Sequence, residues 1–246
     1  MRFTRTDWSE HYTGGQNFRR LGEEEKLLLA EHAPAPDGGR ALDAGCGTGE
    51  LTVHLVGLGY AVDGVDYAEG ALERVRTEHA DAKRVRWLCL DVEGDDLADL
   101  AEDGYDLVVL RLSIAVVRDR SRVLRLLSAR LREGGKLIVI TPHAEHTAAE
   151  RRNVALDDAE LDALTAGFED VTRCDTEGLA LGGPARAGGV PLAGEEPPGA
   201  ASRVRGGGGG HRRLRAGAAG PLHTRYVGTA GRERRARRDF RRGRGP

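Results

Sequence analysis

The sequence predicts an α/β fold in which helices cover both faces of a mostly parallel sheet. Short apolar runs alternate with helical stretches between residues 40 and 174, a pattern typical of right-handed crossovers between parallel strands. The runs at residues 107–110 and 137–140 are apolar throughout, as expected of central strands covered on both faces. Gly45, Gly47 and Gly49 form the turn between the first strand and the next helix, where missing side chains let a ligand approach the backbone.

The elements follow in order along the chain. An amphipathic helix is predicted over residues 23–32, ending before the first of two prolines at positions 34 and 36. Predicted strands cover residues 42–44, 61–65, 85–90, 105–112, 136–141 and 168–174. Further predicted helices cover residues 51–58, 68–79, 94–102, 120–132 and 157–166. Gly134 and Gly135 are expected to form the turn that ends one helix and starts the fifth strand.

Three aspartates accompany the glycine turn and indicate what it binds. Asp43 stands two residues before the first glycine, Asp66 ends the second strand and Asp91 ends the third. Asp66 is placed to accept both hydroxyls of a ribose, and Asp91 to lie near an adenine edge. A carboxylate at position 43 suits a ligand with an ammonium group and would repel a pyrophosphate. The G-x-G-x-G spacing also differs from the G-x-G-x-x-G of dinucleotide-binding dehydrogenases.

At these residues the chain resembles the class I S-adenosylmethionine-dependent methyltransferases. Their signature is an acidic-x-Gly-x-Gly-x-Gly loop followed by acids at the ends of strands two and three. The resemblance implies a Rossmann-like sheet, S-adenosyl-L-methionine as the cofactor and methyl transfer as the reaction, and we expect no metal centre. It also implies cofactor contacts from Asp43, Gly45, Cys46, Gly47, Gly49, Asp66, Tyr67, Asp91, Val92 and Arg111.

Fewer residues are candidates for contacts with the methyl acceptor than for contacts with the cofactor. Arg111 lies at the end of strand four and would either attract an anionic acceptor or pair with a surface carboxylate. His143, after strand five, is the nearest candidate base. Trp8 and Tyr12 would either cap the cofactor or pack on the sheet edge. The Asn/Asp-Pro-Pro-aromatic motif of nucleic-acid amino methyltransferases is absent after strand four, which disfavours DNA adenine or cytosine-N4 as the acceptor. The sequence does not identify the acceptor, which we expect to be a small molecule.

Composition divides the chain into residues 1–180, the predicted methyltransferase domain, and residues 181–246, a Gly/Arg-rich tail expected to be disordered. Residues 203–246 hold 14 arginines and two acidic residues, although the whole chain carries a net charge of −2.

No 18-residue apolar run predicts a membrane span, and no signal peptide is recognised. Three widely spaced cysteines favour reduced thiols and a cytoplasmic protein. The sequence leaves the oligomeric state open.

The tail also lacks the seventh strand that the resemblance implies. GC-rich codons for residues 182–186, shifted by one base, permit the strand-like peptide WVVLR. Codons for residues 207–232 permit a peptide that resembles the start of a Nudix hydrolase. We therefore expect a frameshift near Leu181 in a methyltransferase/Nudix fusion. The alternative is a genuine basic tail in a protein that binds or modifies nucleic acid through phosphate neutralisation.

Overall fold

A computed structural model describes residues 4–17, 19–166, 168, 171–175 and, for the backbone, 224–227. The helices are α1 (Arg5–Thr13), α2 (Glu23–His32), α3 (Glu50–Gly57), α4 (Glu69–Glu78), α5 (Arg120–Ser128) and α6 (Asp158–Thr165). The strands are β1 (Arg40–Ala44), β2 (Ala61–Asp66), β3 (Val85–Cys89), β4 (Tyr105–Arg111), β5 (Leu131–Pro142), β6 (Arg173–Asp175) and β7 (Thr224–Val227). No helix among the described residues combines the length and apolar character needed to cross a membrane.

The strands form one sheet in the order β3-β2-β1-β4-β5-β7-β6. Strands β1 to β5 pair in parallel, whereas β7 is antiparallel to both β5 and β6. The chain order reverses between β1 and β4, and ligands of open α/β sheets bind beyond the carboxyl ends of the strands at such a point. The predicted α/β class with a mostly parallel sheet is confirmed.

Alternate residues of the central strands face opposite sides of the sheet, and helices cover both sides. Val108 and Leu110 join the apolar cluster that includes residues of α5 and α6. Leu107 and Val109 join a second cluster that includes residues of α2 and α3. Because both faces are buried, these strands read as continuous apolar runs rather than as alternating ones.

Two predicted elements differ in the structure. The helix expected over residues 94–102 is only a 3₁₀ turn, Leu97–Asp99. Here the Asp96 side chain accepts the backbone N–H of Ala98, and such local bonds compete with an α-helix. The expected turn at residues 134–135 lies inside β5, where the register against β4 shifts between Tyr105 and Leu107.

The seventh strand is a further correction. The sequence predicts that this strand is missing, yet Thr224–Val227 pairs between β5 and β6. Thr, Tyr and Val favour extended backbone, and a short extended segment suffices to hydrogen-bond with both neighbouring strands. Residues 182–186, where the shifted frame would encode a strand, and the rest of the Gly/Arg-rich tail lie outside the described residues.

Candidate functional site

A cavity of about 650 Å³ opens at the carboxyl edge of the sheet. The segments that follow β1, β2, β3 and β4 line it, and α1 closes one side. Nine of the ten residues expected to contact the cofactor lie in its wall, namely Asp43, Gly45, Cys46, Gly47, Asp66, Tyr67, Asp91, Val92 and Arg111. The tenth, Gly49, precedes α3 and does not line the cavity.

The glycine turn follows a backbone path that an L side chain would disturb. Gly45 has a φ of 84°, and a Cβ atom there would come within 2.6 Å of the Ser113 Cβ. The amides of Gly45 and Cys46 both donate to the carbonyl of Val65. The turn is therefore fixed against the end of β2.

Asp43 has one carboxylate oxygen that nothing in the described part of the chain satisfies. Its side chain is 1% exposed, and Oδ2 accepts a hydrogen bond from Thr52 Oγ1 at 2.7 Å. Oδ1 is buried without a hydrogen-bond partner. Burial raises the pKa of Asp43 to about 6, against the opposing effects of Thr52 and Arg111. An unsatisfied buried oxygen is costly, so this position favours a cationic donor in the cavity.

Asp66 supports the glycine turn and still has free acceptor capacity. Its carboxylate accepts the backbone N–H groups of Gly47 and Ala68, each at 2.9 Å. Burial raises the pKa of Asp66, and these hydrogen bonds oppose that rise. A carboxylate offers roughly four lone pairs, so acceptor positions remain for two further donors such as a pair of hydroxyls.

The opposite wall is formed by the ends of β2 and β3. The Tyr67 ring is partly buried, and the Arg5 guanidinium lies 5.8 Å from its centroid. Asp91 Oδ1 accepts the backbone N–H of Glu93 at 2.9 Å, which fixes the loop that carries Val92. An aromatic ring and an aliphatic side chain on this side suit a planar base.

Trp8 and Tyr12 lie on α1 and face the cavity rather than a sheet edge. Their rings stack with centroids 5.8 Å apart. A Cβ atom at Gly47 would be 3.0 Å from the Tyr12 hydroxyl, so Tyr12 lies directly over the glycine turn. Both side chains also pack with Ala68 and Ala71 at the start of α4. This placement favours the cap over the edge-packing alternative.

Arg111 lines the cavity, but its guanidinium is bound by protein groups. Its Nε and Nη2 donate to the two carboxylate oxygens of Glu25 at 3.1 and 2.9 Å. Two further hydrogen bonds reach the carbonyls of Arg19 and Arg20. Four of the five guanidinium N–H donors are therefore engaged, which leaves little to attract an anionic acceptor. Of the two interpretations of Arg111, the structure favours pairing with a carboxylate, but the partner, Glu25, is buried rather than at the surface.

The sequence interpretation missed Glu25 and Arg19. Glu25 is buried in α2, and Arg19 Nη2 lies 2.8 Å from its Oε1. Burial alone would raise the pKa of Glu25, but Arg111 and Arg19 hold it below the ordinary value. Glu25 is one of three consecutive glutamates, and their sequence gives no sign of which one is buried.

His143 does not line the cavity. It follows β5, is 2% exposed and forms an isolated parallel bridge with Leu156. Its expected role as a base in methyl transfer is therefore not supported by its position.

Cys46 does line the cavity, where it packs with Leu72 and Val75. Burial raises the pKa of the Cys46 thiol well above its usual value, which agrees with a packing residue rather than a nucleophile.

Comparisons with known proteins agree with this geometry. Residues 42–137 match the family described as "Methyltransferase domain". A ubiquinone biosynthesis O-methyltransferase of Idiomarina loihiensis is 29% identical over 115 residues, which is 46% of each chain. An uncharacterized methyltransferase of Mycobacterium bovis is 34% identical over 100 residues, which is 41% of this chain and 49% of that one. Over residues 42–137 the chain is therefore similar to methyltransferase domains, and its fold and cavity agree with those of the class I S-adenosylmethionine-dependent methyltransferases.

Solved structures support the fold. A SAM-dependent methyltransferase of Leishmania major superposes with a TM-score of 0.57 at 16% identity, covering 84% of this chain and 70% of that one. A methyltransferase described as putative from Bacillus halodurans gives a TM-score of 0.52 at 16% identity, covering 61% and 72%. At such identities the likeness concerns the fold alone. The chain spans about half the length of the two sequence relatives above.

Proposed function

We propose that this chain transfers a methyl group from S-adenosyl-L-methionine to a small organic molecule. The observation that carries the proposal is the unsatisfied buried oxygen of Asp43 beneath the glycine turn. In the same cavity, Asp66 keeps free acceptor capacity beside an aromatic and aliphatic wall. These three features fit the ammonium, ribose and adenine of that cofactor.

Each residue then has a role that its environment supports. Asp43 accepts a hydrogen bond from the ammonium group, and Asp66 accepts from the ribose hydroxyls. Tyr67 and Val92 flank the adenine, and Asp91 holds the loop beside it. When bound, S-adenosylmethionine supplies an electrophilic methyl carbon on a sulfonium. The chain has to hold the acceptor in line with that carbon and exclude water, which provides much of the rate enhancement.

The segment after β4 supports an organic acceptor. Leu112 has a φ of 57°, an uncommon value for a leucine, and it lines the cavity with Val116 and Val117. Ser113 Oγ donates to the carbonyl of Ala44 at 2.9 Å, which fixes this segment beside the glycine turn. The relative from Idiomarina loihiensis is named as an O-methyltransferase of ubiquinone biosynthesis, and this favours a hydroxyl as the acceptor group.

The nucleic-acid alternative has no support in these comparisons, since none of the relatives reported above is named for a nucleic-acid acceptor. The basic tail on which it depends lies outside the described residues, apart from residues 224–227.

We also propose a cytoplasmic location. Its support is that the chain has only three cysteines, widely spaced in the sequence, a pattern that fits reduced thiols rather than a disulfide framework.

The proposal is tested by following labelled methyl groups. The purified chain is incubated with methyl-labelled S-adenosylmethionine and an extract of the cells that produce it, and the products are separated by size. We expect label in low-molecular-mass compounds, and clearly less label with the Asp43→Asn variant. Label confined to nucleic acid would favour the alternative, and equal labelling by both proteins would contradict the assigned role of Asp43.

A further inference from the structure

A second group of potential ligands lies outside the cavity, in the 3₁₀ turn that follows β5. His143, Glu145 and His146 each offer a donor atom, and these three atoms lie within 4.8 Å of one another. None of the three residues lines the cofactor cavity. The imidazoles of His143 and His146 have ring centroids 5.6 Å apart. The cluster is therefore separate from the site assigned to methyl transfer.

His143 is the observation that singles out this cluster. The side chain is 2% exposed, and neither ring nitrogen has a hydrogen-bond partner among the described residues. Its Nε2 lies 3.5 Å from Asp158 Oδ1 without a hydrogen bond between them. A neutral imidazole has one donor and one acceptor nitrogen, and burying both unsatisfied is unfavourable. A ligand that took up one nitrogen would remove much of that cost.

The backbone holds this turn in place. The Ala144 amide donates to the carbonyl of Leu156 at 2.8 Å. The His146 amide and the Thr147 hydroxyl both donate to the carbonyl of His143, at 3.2 and 2.7 Å. The donors therefore stand on a fixed turn between β5 and α6, and little ordering would be needed for them to converge on one ion.

We propose that His143, Glu145 and His146 bind a divalent transition-metal ion of the zinc type. Two imidazoles and one carboxylate form a common ligand set for Zn²⁺ and Co²⁺, whereas Mg²⁺ and Ca²⁺ prefer oxygen ligands. Asp158 stands beside Nε2 of His143, as the outer carboxylate does where a histidine binds metal through its other nitrogen. The ion would hold the 3₁₀ turn against His143 at the end of β5.

The test uses the full chain after treatment with a chelator. Zn²⁺ binding is measured by titration calorimetry, and Co²⁺ binding by its visible absorption. We expect one ion per chain, and an affinity at least about tenfold lower in His146→Ala and in Glu145→Gln. Both side chains are exposed, so each variant is expected to keep the fold, which circular dichroism would check. Millimolar Mg²⁺ should not compete.

The matched control is His32→Ala. His32 Nε2 lies 3.9 Å from Cys174 Sγ, and this pair is a second place where a soft metal could attach. The proposal requires that His32→Ala leave the affinity within about twofold. Wild-type protein that binds neither ion would overturn it, and so would variants of Glu145 and His146 that bind as tightly as the wild type. Because no cofactor is involved, the result does not depend on the proposed methyl transfer.

Discussion

Burial and ligand binding act on the Asp43 carboxyl in opposite directions. Burial raises its pKa to about 6, so the acid form is favoured in the folded chain without ligand. The resulting stability is fully present below the unfolded pKa and is lost as the pH rises through about 6. A bound ammonium group would favour the ionised form instead.

We therefore expect the affinity for S-adenosylhomocysteine, which carries the same ammonium group, to rise from about pH 5 to about pH 7. Titration calorimetry at a series of pH values measures this directly. Asp43→Asn should bind more weakly, and its affinity should change less with pH. We attribute the pH dependence that remains to Asp66, whose pKa is also raised. Identical profiles for the variant and the wild type would contradict the assignment.

Glu25 offers a test of the buried ion pairs behind the cavity wall. In Glu25→Gln, Arg111 and Arg19 lose their anionic partner in a buried position. Removing one member of a buried pair costs about 3–5 kcal/mol of unfolding free energy, which urea denaturation would measure. The neighbouring Glu24 is exposed, so Glu24→Gln should change stability little. Equal effects of the two substitutions would show that the buried pairing does not stabilise the fold.

For single residues, the sequence predicts the position of a side chain when that position is set by residues close to it in the chain. The places of Asp43 and Asp66 in the site follow from their places in β1 and β2, since parallel strands end at a common edge. The partner of Arg111 could not be predicted, because Glu25 lies 86 residues earlier in the chain and comes into contact only through the tertiary fold.

Among the elements, α1 closes the cavity and packs tightly against α4 at Gly70. A Cβ atom at Gly70 would lie 2.4 Å from both the Ser9 carbonyl oxygen and Thr13 Oγ1. Gly70→Ala should therefore displace α1 from α4, expose Trp8 and weaken S-adenosylhomocysteine binding. Trp8 fluorescence, read in a Trp87→Phe background, and calorimetry measure the two effects.

Gly57→Ala is the matched control for this change. Nothing lies within 4 Å of a Cβ atom at Gly57, which ends α3, and alanine favours helix over glycine by about 1 kcal/mol. We expect this variant to keep both the fluorescence and the affinity of the parent protein. Unchanged binding in Gly70→Ala would show that α1 does not take part in holding the cofactor.

The elements also show where local sequence patterns fail. Strands β1 to β4 are predicted within two residues of their observed bounds because each centres on a short, mainly apolar run. β5 begins at Leu131 rather than near residue 136, because Leu131 pairs with Tyr105 across the sheet. The expected helix over residues 94–102 does not form, because aspartate side chains accept hydrogen bonds from nearby backbone amides. Both differences depend on partners that periodicity does not reveal.

For the whole molecule, the frame of the last part of the coding sequence stays a prediction. Resequencing around codons 178–186 should reveal a single-base insertion or deletion near Leu181. The chain with its frame restored should gain several kcal/mol of unfolding free energy in urea, because a full seventh strand buries more apolar area than four residues do. An intact frame, with residues 182–246 well packed, would show that the basic tail is native.

The central claim is that the cavity at the carboxyl edge holds S-adenosylmethionine. Titration calorimetry of the full chain with S-adenosylhomocysteine tests it most directly, beside Asp66→Ala and a control, Asp81→Ala, at an exposed position outside the cavity. We predict saturable binding at one site, weaker by about 1–3 kcal/mol in Asp66→Ala and unchanged in Asp81→Ala. Absence of binding at millimolar ligand, or equal affinity in all three proteins, would contradict the claim.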